Sequence, residues 1–267
     1  MKTEFAREEK AGAEAVKAAE KILIKQFHPE KIARSEYKAN KEFVTATDIA
    51  SNRAIQEVLH KLTPDIPVVS EEGPAFDYGL STIDSRHSWL IDPLDGTTNF
   101  VIGLPLFGVM LALLQDGEPV IGWISLPLLQ EYYVARLNQG AWRNGKKFHL
   151  TQKLPLEDSV GLVCHGYAAD QKAADMRSIL PLMKATHSTR RIGAACIEAA
   201  WVATGRASYL VIHGAKPWDL AAGTLLVTEA GGLVSKPDGS PWTLNDGDCV
   251  AANPASYETV IKTLKNT

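Results

Sequence analysis

Apolar and small residues recur at helical spacing near the start of the chain. Over 4–27 these positions are Phe5, Gly12, Val16, Ala19, Ile22 and Leu23. The spacing predicts an amphipathic helix with one face rich in small residues, in which a glycine costs about 1 kcal/mol relative to alanine. A second helix is predicted to begin at Thr47 or Asp48, both good N-cap residues, and to stop at Pro64.

Short apolar runs between the helical segments predict β-strands. They cover 68–70, 88–91, 107–114, 120–126, 132–136, 160–164 and 208–212. Asp116-Gly117 and Asn144-Gly145 are tight-turn signals, so the middle of the chain is predicted to be an antiparallel meander. The uncharged stretch 96–115 is interpreted as a loop that enters a buried strand.

Helical patterns alternate with strands in the second half of the chain. The predicted helices cover 172–185, which Pro181 either interrupts or ends, and then 192–204, 219–230 and 256–264. An antiparallel part followed by an alternating part predicts a layered α+β fold. Periodicity does not separate one domain from two.

The composition excludes several classes of protein. The 267 residues are 45% apolar and carry a formal net charge of −3, which argues against disorder and against a nucleic-acid-binding protein with a general basic surface. The three cysteines form no CxxC pair, so neither a zinc knuckle nor a disulfide framework is expected. With no signal-peptide core and no apolar run long enough to span a bilayer, the expected location is a reducing cytoplasm, away from membranes.

Acidic residues follow apolar segments at three places. The segments are Ser70-Glu71-Glu72, Asp92-Pro93-Leu94-Asp95 and Trp218-Asp219. Each acid is predicted at a strand end or a helix start near the interior, where an unpaired carboxylate is costly. A divalent cation removes that cost, and carboxylate and carbonyl oxygens are the ligands that Mg²⁺ takes.

The middle segment has a spacing that suits a metal beside an anion. Pro93 favours an extended Asp92, and the following turn is predicted to bring Asp95 beside it, together with the Leu94 carbonyl. Gly96-Thr97-Thr98 then supplies backbone N–H groups and hydroxyls for an anion, as a phosphate-ester hydrolysis centre requires. The structural alternative is an ordinary Asp-Gly turn, with Asp48 and Asp219 as helix N-caps only.

The chain resembles the inositol monophosphatase family over nearly its whole length. The resemblance rests on Val44-Thr45-Ala46-Thr47-Asp48, Ser70-Glu71-Glu72, the segment 92–100, Gly140-Ala141-Trp142-Arg143-Asn144-Gly145 and Trp218-Asp219-Leu220-Ala221-Ala222-Gly223. It implies a layered αβαβα sandwich and a single catalytic unit over 1–267, with an N-terminal half of about 1–150 and a C-terminal half of about 151–267. It also implies a Mg²⁺-dependent, lithium-sensitive phosphatase that assembles as a homodimer.

The resemblance also assigns roles to individual residues. The ligands of two or three Mg²⁺ ions, which Mn²⁺ could replace, would be Glu71, Asp92, the Leu94 carbonyl, Asp95 and Asp219, and the metals would activate the attacking water. Thr97, hydrogen-bonded to Asp48, would orient and help deprotonate that water, and Glu72 would support it. The phosphate and substrate contacts would come from Gly96, Thr97, Thr98, Gly193, Ala194 and Ala195. His213, Lys216, Lys38, Arg190 and Arg191 are basic candidates, each either at the substrate or on the surface.

The substrate side departs from the animal members of the family. They carry an acidic residue seven positions before the aspartate of the Trp-Asp motif, whereas this chain has Ile212 there, beside His213. That change puts inositol 1-phosphate in doubt and favours a second anionic group on the substrate. Thr98-Asn99, in contrast, matches the inositol phosphatase branch rather than the nucleotidase branch, and this motif is given more weight.

The predicted function is therefore Mg²⁺-dependent hydrolysis of a small polyol or sugar phosphate, without a nucleic-acid or membrane partner. The alternatives within the same chemistry are a 3′(2′),5′-bisphosphate nucleotide, fructose 1,6-bisphosphate or histidinol phosphate. The alternative from another class is a family member that mainly binds another macromolecule.

Overall fold

The computed structural model describes residues 5–37, 43–73, 86–151, 154–165 and 179–266. The helices in these ranges are α1 (Ala6–Gln26), α2 (Ala46–Leu62), α3 (Thr97–Val101), α4 (179–185), α5 (Ala195–Ala203), α6 (Pro217–Glu229) and α7 (Pro254–Lys265). The strands are β1 (Glu36–Tyr37), β2 (Phe43–Val44), β3 (Val68–Ser70), β4 (His87–Asp95), β5 (Gly108–Gln115), β6 (Glu118–Leu126), β7 (Glu131–Arg136), β8 (Gly140–Arg143), β9 (Lys146–Phe148), β10 (Val160–His165), β11 (Ser188–Arg190), β12 (Tyr209–His213), β13 (Leu233–Ser235) and β14 (Cys249–Ala252).

Two large sheets form the frame of the molecule. The seven-stranded sheet has the order β3-β4-β5-β6-β7-β8-β9 and is antiparallel except for the β3–β4 pair. This is the predicted meander. The five-stranded sheet has the order β11-β10-β12-β14-β13, in which β11, β10 and β12 are parallel. The small β1–β2 pair stands apart from both.

Three apolar cores stack the elements into layers. The first joins α1 and α2 to one face of the seven-stranded sheet through residues such as Trp89 and Ile91. The second lies between the sheets, where α5 and α6 pack against alternate residues such as Leu90. The third joins α4 and α7 to the outer face of the five-stranded sheet. Since neighbouring strand residues face opposite sides, the strands serve two cores at once. The layer order confirms the αβαβα sandwich.

The helix starts differ from the sequence prediction for local reasons. Thr45, not Thr47 or Asp48, is the N-cap of α2, because its hydroxyl accepts from the N–H groups of both while Asp48 accepts from the Thr45 N–H. This reciprocal arrangement is a capping box. The segment after Gly96 forms the short helix α3 before the chain enters β5, so the predicted loop is partly helical.

In the described part of the chain, no helix combines the length and the apolar character needed to pass through a bilayer. All three cysteines carry free thiols, and two of them, Cys196 and Cys249, are buried.

Gly12 in α1 has a packing reason that its position in the sequence does not show. A Cβ atom at this position would lie 2.7 Å from the ring of Trp123, which is 2% exposed. The absent side chain therefore allows α1 to approach the sheet.

Gly12→Ala is expected to lower the free energy of unfolding by about 1–2 kcal/mol, because the overpacking of a core outweighs the roughly 1 kcal/mol gain in helix propensity. Urea denaturation measures this change, with the exposed helix variant Lys17→Ala as a control expected within about 0.5 kcal/mol of the parent. A Gly12→Ala variant more stable than the parent would contradict the packing account.

Candidate active site

A cleft lies where the two large sheets meet, and it is lined from both of them. The carboxyl ends of the parallel strands β10 and β12 open into it, which is where ligands bind in α/β sheets. The predicted site residues that line it are Glu71, Asp92, Leu94, Asp95, Gly96, Thr97, Arg191, Gly193, Ala195, His213, Lys216 and Asp219.

A β-bulge in β4 determines how Asp92 and Asp95 meet. Asp92 is paired with Met110 of β5 and Asp95 with Gly108, so two residues of β4, Pro93 and Leu94, stand against one of β5. Residues three apart on a regular strand face opposite sides, but one extra residue restores the same side. The structure thus achieves by a bulge within the strand what the sequence analysis expected of a turn.

The bulge suits proline and is supported from α2. Proline has no N–H to donate to a ladder, so a bulge is one of the places within a sheet that tolerates it. The carbonyl of Pro93 accepts a hydrogen bond of 2.7 Å from the buried Ser51 hydroxyl, and the Asp92 carboxylate accepts one of 3.1 Å from the Leu94 N–H. These bonds satisfy groups that the ladder leaves unpaired.

The acids of the cleft act on one another. Burial raises the pKa of Asp92 well above its ordinary value, and the charges of Glu71, Asp95 and Asp219 raise it further. Burial also raises the pKa of Asp95, although the N–H of Cys196 donates a 2.6 Å hydrogen bond that opposes the shift. Carboxylates placed this way favour a proton or a cation in their midst.

Thr97 and Asp48 form a hydrogen-bonded pair behind the acids. The Thr97 hydroxyl shares its one hydrogen between Asp48 Oδ1 and the Leu94 carbonyl, each 2.9 Å from its oxygen. The other oxygen of Asp48 accepts from the N–H and the hydroxyl of Thr45, at 2.8 and 2.5 Å. Burial raises the pKa of Asp48, and the bonds from Thr45 and Thr97 oppose that rise. Because its hydrogen points to these acceptors, the Thr97 oxygen has lone pairs left to accept from a third group.

Gly96 permits the close approach of the two halves of the site. Its φ is +86°, and a Cβ atom there would lie 3.0 Å from both the Ala194 side chain and the Leu106 carbonyl. Any other residue would be strained in this conformation and crowded by these neighbours. Ala194 therefore packs against Gly96 rather than lining the cleft.

Glu198 of α5 fixes the segment that enters that helix. The side chain is fully buried, and its Oε1 accepts from the N–H groups of Ile192 and Gly193, at 2.9 and 3.1 Å. Asn99 holds the same segment, because its side-chain amide donates a 2.9 Å hydrogen bond to the Ile192 carbonyl. Burial raises the pKa of Glu198 to about 8.

The chain matches the model of the inositol monophosphatase family over residues 6–267. This chain belongs to the inositol monophosphatase family. An inositol-1-monophosphatase of Mesorhizobium japonicum is 32% identical over 253 residues, covering 94% of each chain. The Nus factor SuhB of Pasteurella multocida is 34% identical over 257 residues, again covering 94% of each. The solved structure of the Thermotoga maritima IMPase has a TM-score of 0.82 at 30% identity and covers 94% of each chain.

Membership of the inositol monophosphatase family makes the chain a phosphoric monoester hydrolase. The predicted resemblance and the predicted enzyme class are confirmed.

Several predicted site residues of this family member stand outside the cleft surface. Asp48 lies behind Thr97, as described above. The Glu72 carbonyl accepts a 3.1 Å hydrogen bond from the Asn52 side chain. The Thr98 carbonyl accepts one from the N–H of Ile102, the residue that follows α3. Arg190 bonds to Ser188 and to the Thr189 carbonyl, whereas the next residue, Arg191, lines the cleft. Lys38 lies outside the described residues.

Other cleft residues were not identified from the sequence. They are Phe43, Cys164, His165, Gly214, Ala215 and Trp218. His165 ends β10 and is paired in register with His213 of β12. Parallel strands bring their carboxyl ends to one edge of a sheet. A prediction that the runs 160–164 and 208–212 pair would therefore have placed His165 beside His213 in the cleft. Glu198 was missed because a glutamate inside an apolar helix gives no sign of the backbone groups that it binds.

The donor chemistry of the cleft suits a hard divalent cation. Three or more His, Cys, Asp or Glu side chains are nowhere arranged as a ready-made metal cage in the described ranges. The cleft nevertheless gathers four carboxylates and the Leu94 residue on one surface. Burial raises the pKa of two of these carboxylates, Asp92 and Asp95, and neighbouring negative charges raise that of Asp92 further. Oxygen donors of this kind suit Mg²⁺ rather than a soft metal.

The pKa of Glu198 leads to a pH-dependent stability. The group keeps a proton in the folded chain up to about pH 8, whereas the unfolded chain loses it near 4.5. Its contribution to stability therefore falls as the pH rises from about 4.5 to about 8. Glu198→Gln retains an acceptor oxygen without the titration, so its melting temperature is expected to rise relative to the parent across this window.

Thermal unfolding at several pH values, without divalent cations, measures the difference between Glu198→Gln and the parent. Glu14→Gln, on the exposed face of α1, is the matched control and is expected to show no such trend. If the melting temperatures of Glu198→Gln and the parent kept a constant difference from pH 5 to 8, Glu198 would be ionised throughout, which would contradict the account.

Proposed function

We propose that this chain hydrolyses phosphomonoesters of small polyols or sugars with the help of Mg²⁺. The observation that carries the proposal is that the β4 bulge places Asp92 and Asp95 on the same face of the strand. They share a cleft there with Glu71 and Asp219. Since the cleft is built from both sheets, we further propose that 1–267 acts as one catalytic unit.

Mg²⁺ would be held by the oxygen donors of the cleft. In the proposed assignment Glu71, Asp92 and the Leu94 carbonyl hold one ion, and Asp92, Asp95 and Asp219 hold a second. Mn²⁺ would be tolerated because it takes similar ligands. When bound, the metal lowers the pKa of a coordinated water and neutralises charge on the phosphate.

The residues around the metals would bind the phosphate and accept a proton. Gly96, Thr97 and Thr98 are the proposed phosphate contacts from α3, and Gly193, Ala194 and Ala195 form the facing segment. The Thr97 oxygen, whose own hydrogen is directed to Asp48 and the Leu94 carbonyl, would accept a hydrogen bond from the attacking water. Asp48 would take the proton through Thr97, and Glu72 would help to position the water.

The reaction needs no further reactant. The water oxygen forms a bond to phosphorus as the ester P–O bond breaks. The leaving alkoxide takes up a proton from solvent and departs as an alcohol, inorganic phosphate remains, and Asp48 gives the proton that it accepted back to solvent. We also propose a homodimer and lithium sensitivity, which rest on family membership alone. A cytoplasmic location is proposed as well, because the three cysteines show no disulfide pattern.

The alternative that the chain mainly binds another macromolecule is suggested by the relative named Nus factor SuhB. The acids of the cleft and the Thr97–Asp48 pair favour catalysis, because a pure binding role has no use for buried carboxylates that repel one another. A stoichiometric protein partner retained by a chain that releases no phosphate would favour the alternative.

Asp95→Asn is expected to lower kcat/KM by at least about a thousandfold with Mg²⁺ supplied, because it removes one charged oxygen ligand at constant volume. Phosphate release from inositol 1-phosphate and glycerol 2-phosphate provides the measurement. Asp116→Asn is the matched control, since Asp116 lies in the β5–β6 turn at φ +50°, which asparagine also adopts. Near-parent turnover by Asp95→Asn, with an unchanged circular dichroism spectrum, would remove Asp95 from the site.

Thr97→Val is expected to lower kcat by about 10²- to 10⁴-fold, as the loss of a proton acceptor does, while Thr97→Ser keeps most of the activity. Steady-state kinetics at saturating substrate separate the two variants. If the valine variant were as active as the serine variant, Thr97 would have only a structural role.

A further inference from the structure

We propose that Glu198 is a positioning residue for substrate binding, because its carboxyl holds the backbone of the segment 191–195 that forms one wall of the cleft. The inference rests on the proposed function and concerns the same site. Glu198 is fully buried and is not among the described residues that line the cleft. It would therefore act on a substrate only through the backbone groups that it binds.

The segment 191–195 presents alternate residues to the cleft. Arg191, Gly193 and Ala195 line the cleft. The two residues between them face the interior, since Ile192 packs against the core between the sheets and Ala194 is a buried member of it. A shift of this backbone would therefore move three cleft residues at once.

Two side chains fix the backbone of this segment. Glu198 Oε1 accepts from the N–H groups of Ile192 and Gly193, at 2.9 and 3.1 Å. Asn99 of α3 donates a 2.9 Å hydrogen bond to the Ile192 carbonyl and a 2.7 Å bond to the Leu106 carbonyl. Ile192 is thus held at both its N–H and its carbonyl, which sets the depth of the wall.

Helix α5 gains nothing from a carboxyl at this position. Apart from Glu198, the helix Ala195–Ala203 carries only apolar side chains, and it packs between the two sheets. A leucine there would bury apolar area, whereas a buried carboxyl is costly unless it is hydrogen-bonded. What the carboxyl provides is the pair of bonds to Ile192 and Gly193, so its role lies in the segment before the helix.

The contact between α5 and the metal-binding acids does not depend on these bonds. Asp95 accepts its 2.6 Å hydrogen bond from the N–H of Cys196, which lies inside the first turn of α5. Loss of the Glu198 acceptor would release Ile192 and Gly193 and leave the N–H of Cys196 in place. Glu198 is therefore expected to affect substrate binding and not the binding of Mg²⁺.

The test compares Glu198→Leu, which has no acceptor, with Glu198→Gln, which keeps one. Because Glu198 keeps its proton up to about pH 8, glutamine matches it in size and charge at pH 7. With Mg²⁺ saturating and inositol 1-phosphate or glycerol 2-phosphate as substrate, Glu198→Leu is expected to raise KM at least about fivefold, as the loss of hydrogen bonds does. Its kcat should stay within about threefold of the parent, the signature of lost uniform binding, and Glu198→Gln should restore KM to within about twofold.

Glu131→Leu is the matched control for a general loss of stability. Glu131 is a buried glutamate of β7 that accepts from Arg206, beyond the other end of α5, and from Arg143. This variant is expected to lower the melting temperature and to leave KM within about twofold of the parent. Calorimetric titration of Glu198→Leu with Mg²⁺ should reproduce the parent curve.

A parent-like KM in Glu198→Leu, or the same rise of KM in Glu198→Gln, would overturn the inference. Loss of a Mg²⁺ site in Glu198→Leu would also overturn it, because Glu198 would then act through Asp95. If Glu198→Leu does not fold, Asn99→Ala decides, since it frees the Ile192 carbonyl: a KM raised at least about threefold supports the inference, and an unchanged KM overturns it.

These outcomes leave the phosphatase proposal in place as long as the parent releases phosphate. No phosphate release by the parent from either compound would contradict the proposed function, and the inference would fall with it.

Discussion

The alternation of side chains between the two faces of a β-strand constrains this site more than any other feature. Asp92 and Asp95 are three residues apart and would face opposite sides of a regular strand. The extra residue at Pro93–Leu94 brings both carboxylates to the same face. The Pro93 carbonyl, which the ladder leaves unpaired, accepts a 2.7 Å hydrogen bond from the Ser51 hydroxyl of α2. Helix α2 also carries the buried Asp48, so the same layer supports the bulge and supplies the partner of Thr97.

Because the carboxylates of Asp92 and Asp95 lie on one face of β4, each needs neighbouring groups that offset burial and negative charge. Burial and neighbouring charges raise the pKa of Asp92, and the start of α5 offsets part of the cost at Asp95 by a 2.6 Å bond from the Cys196 N–H. That bond also joins the seven-stranded sheet to a helix of the central layer. The acid cluster and the contact between layers therefore depend on each other.

Much of the fold could be predicted from the sequence because apolar periodicity reports burial. The strand 68–70 matches β3, and 4–27 and 219–230 match α1 and α6 within about two residues. The strands β13, at the sheet edge, and β14, beside it, were missed because they are only three and four residues long. Gly12 was recognised only as a weak point of α1, since its contact with Trp123 depends on tertiary packing.

The candidate site was predictable where motifs carry it and not where topology does. Four of the predicted acids and Thr97 lie in short motifs of the sequence, and all of them line one cleft: Glu71, Asp92, Asp95, Thr97 and Asp219. The separation of Arg191 from Arg190, the pairing of His165 with His213 and the bonds of Glu198 follow from strand order and helix placement, which no local pattern reports.

The central claim is that the acids brought together by the bulge bind divalent cations. Calorimetric titration with Mg²⁺ tests it most directly, because it needs no knowledge of the substrate. The parent is predicted to bind more than one Mg²⁺ per chain saturably, and Asp92→Asn is predicted to lose at least one of these sites while its circular dichroism spectrum is retained. No saturable binding by the parent, or the same titration curve for both proteins, would contradict the account.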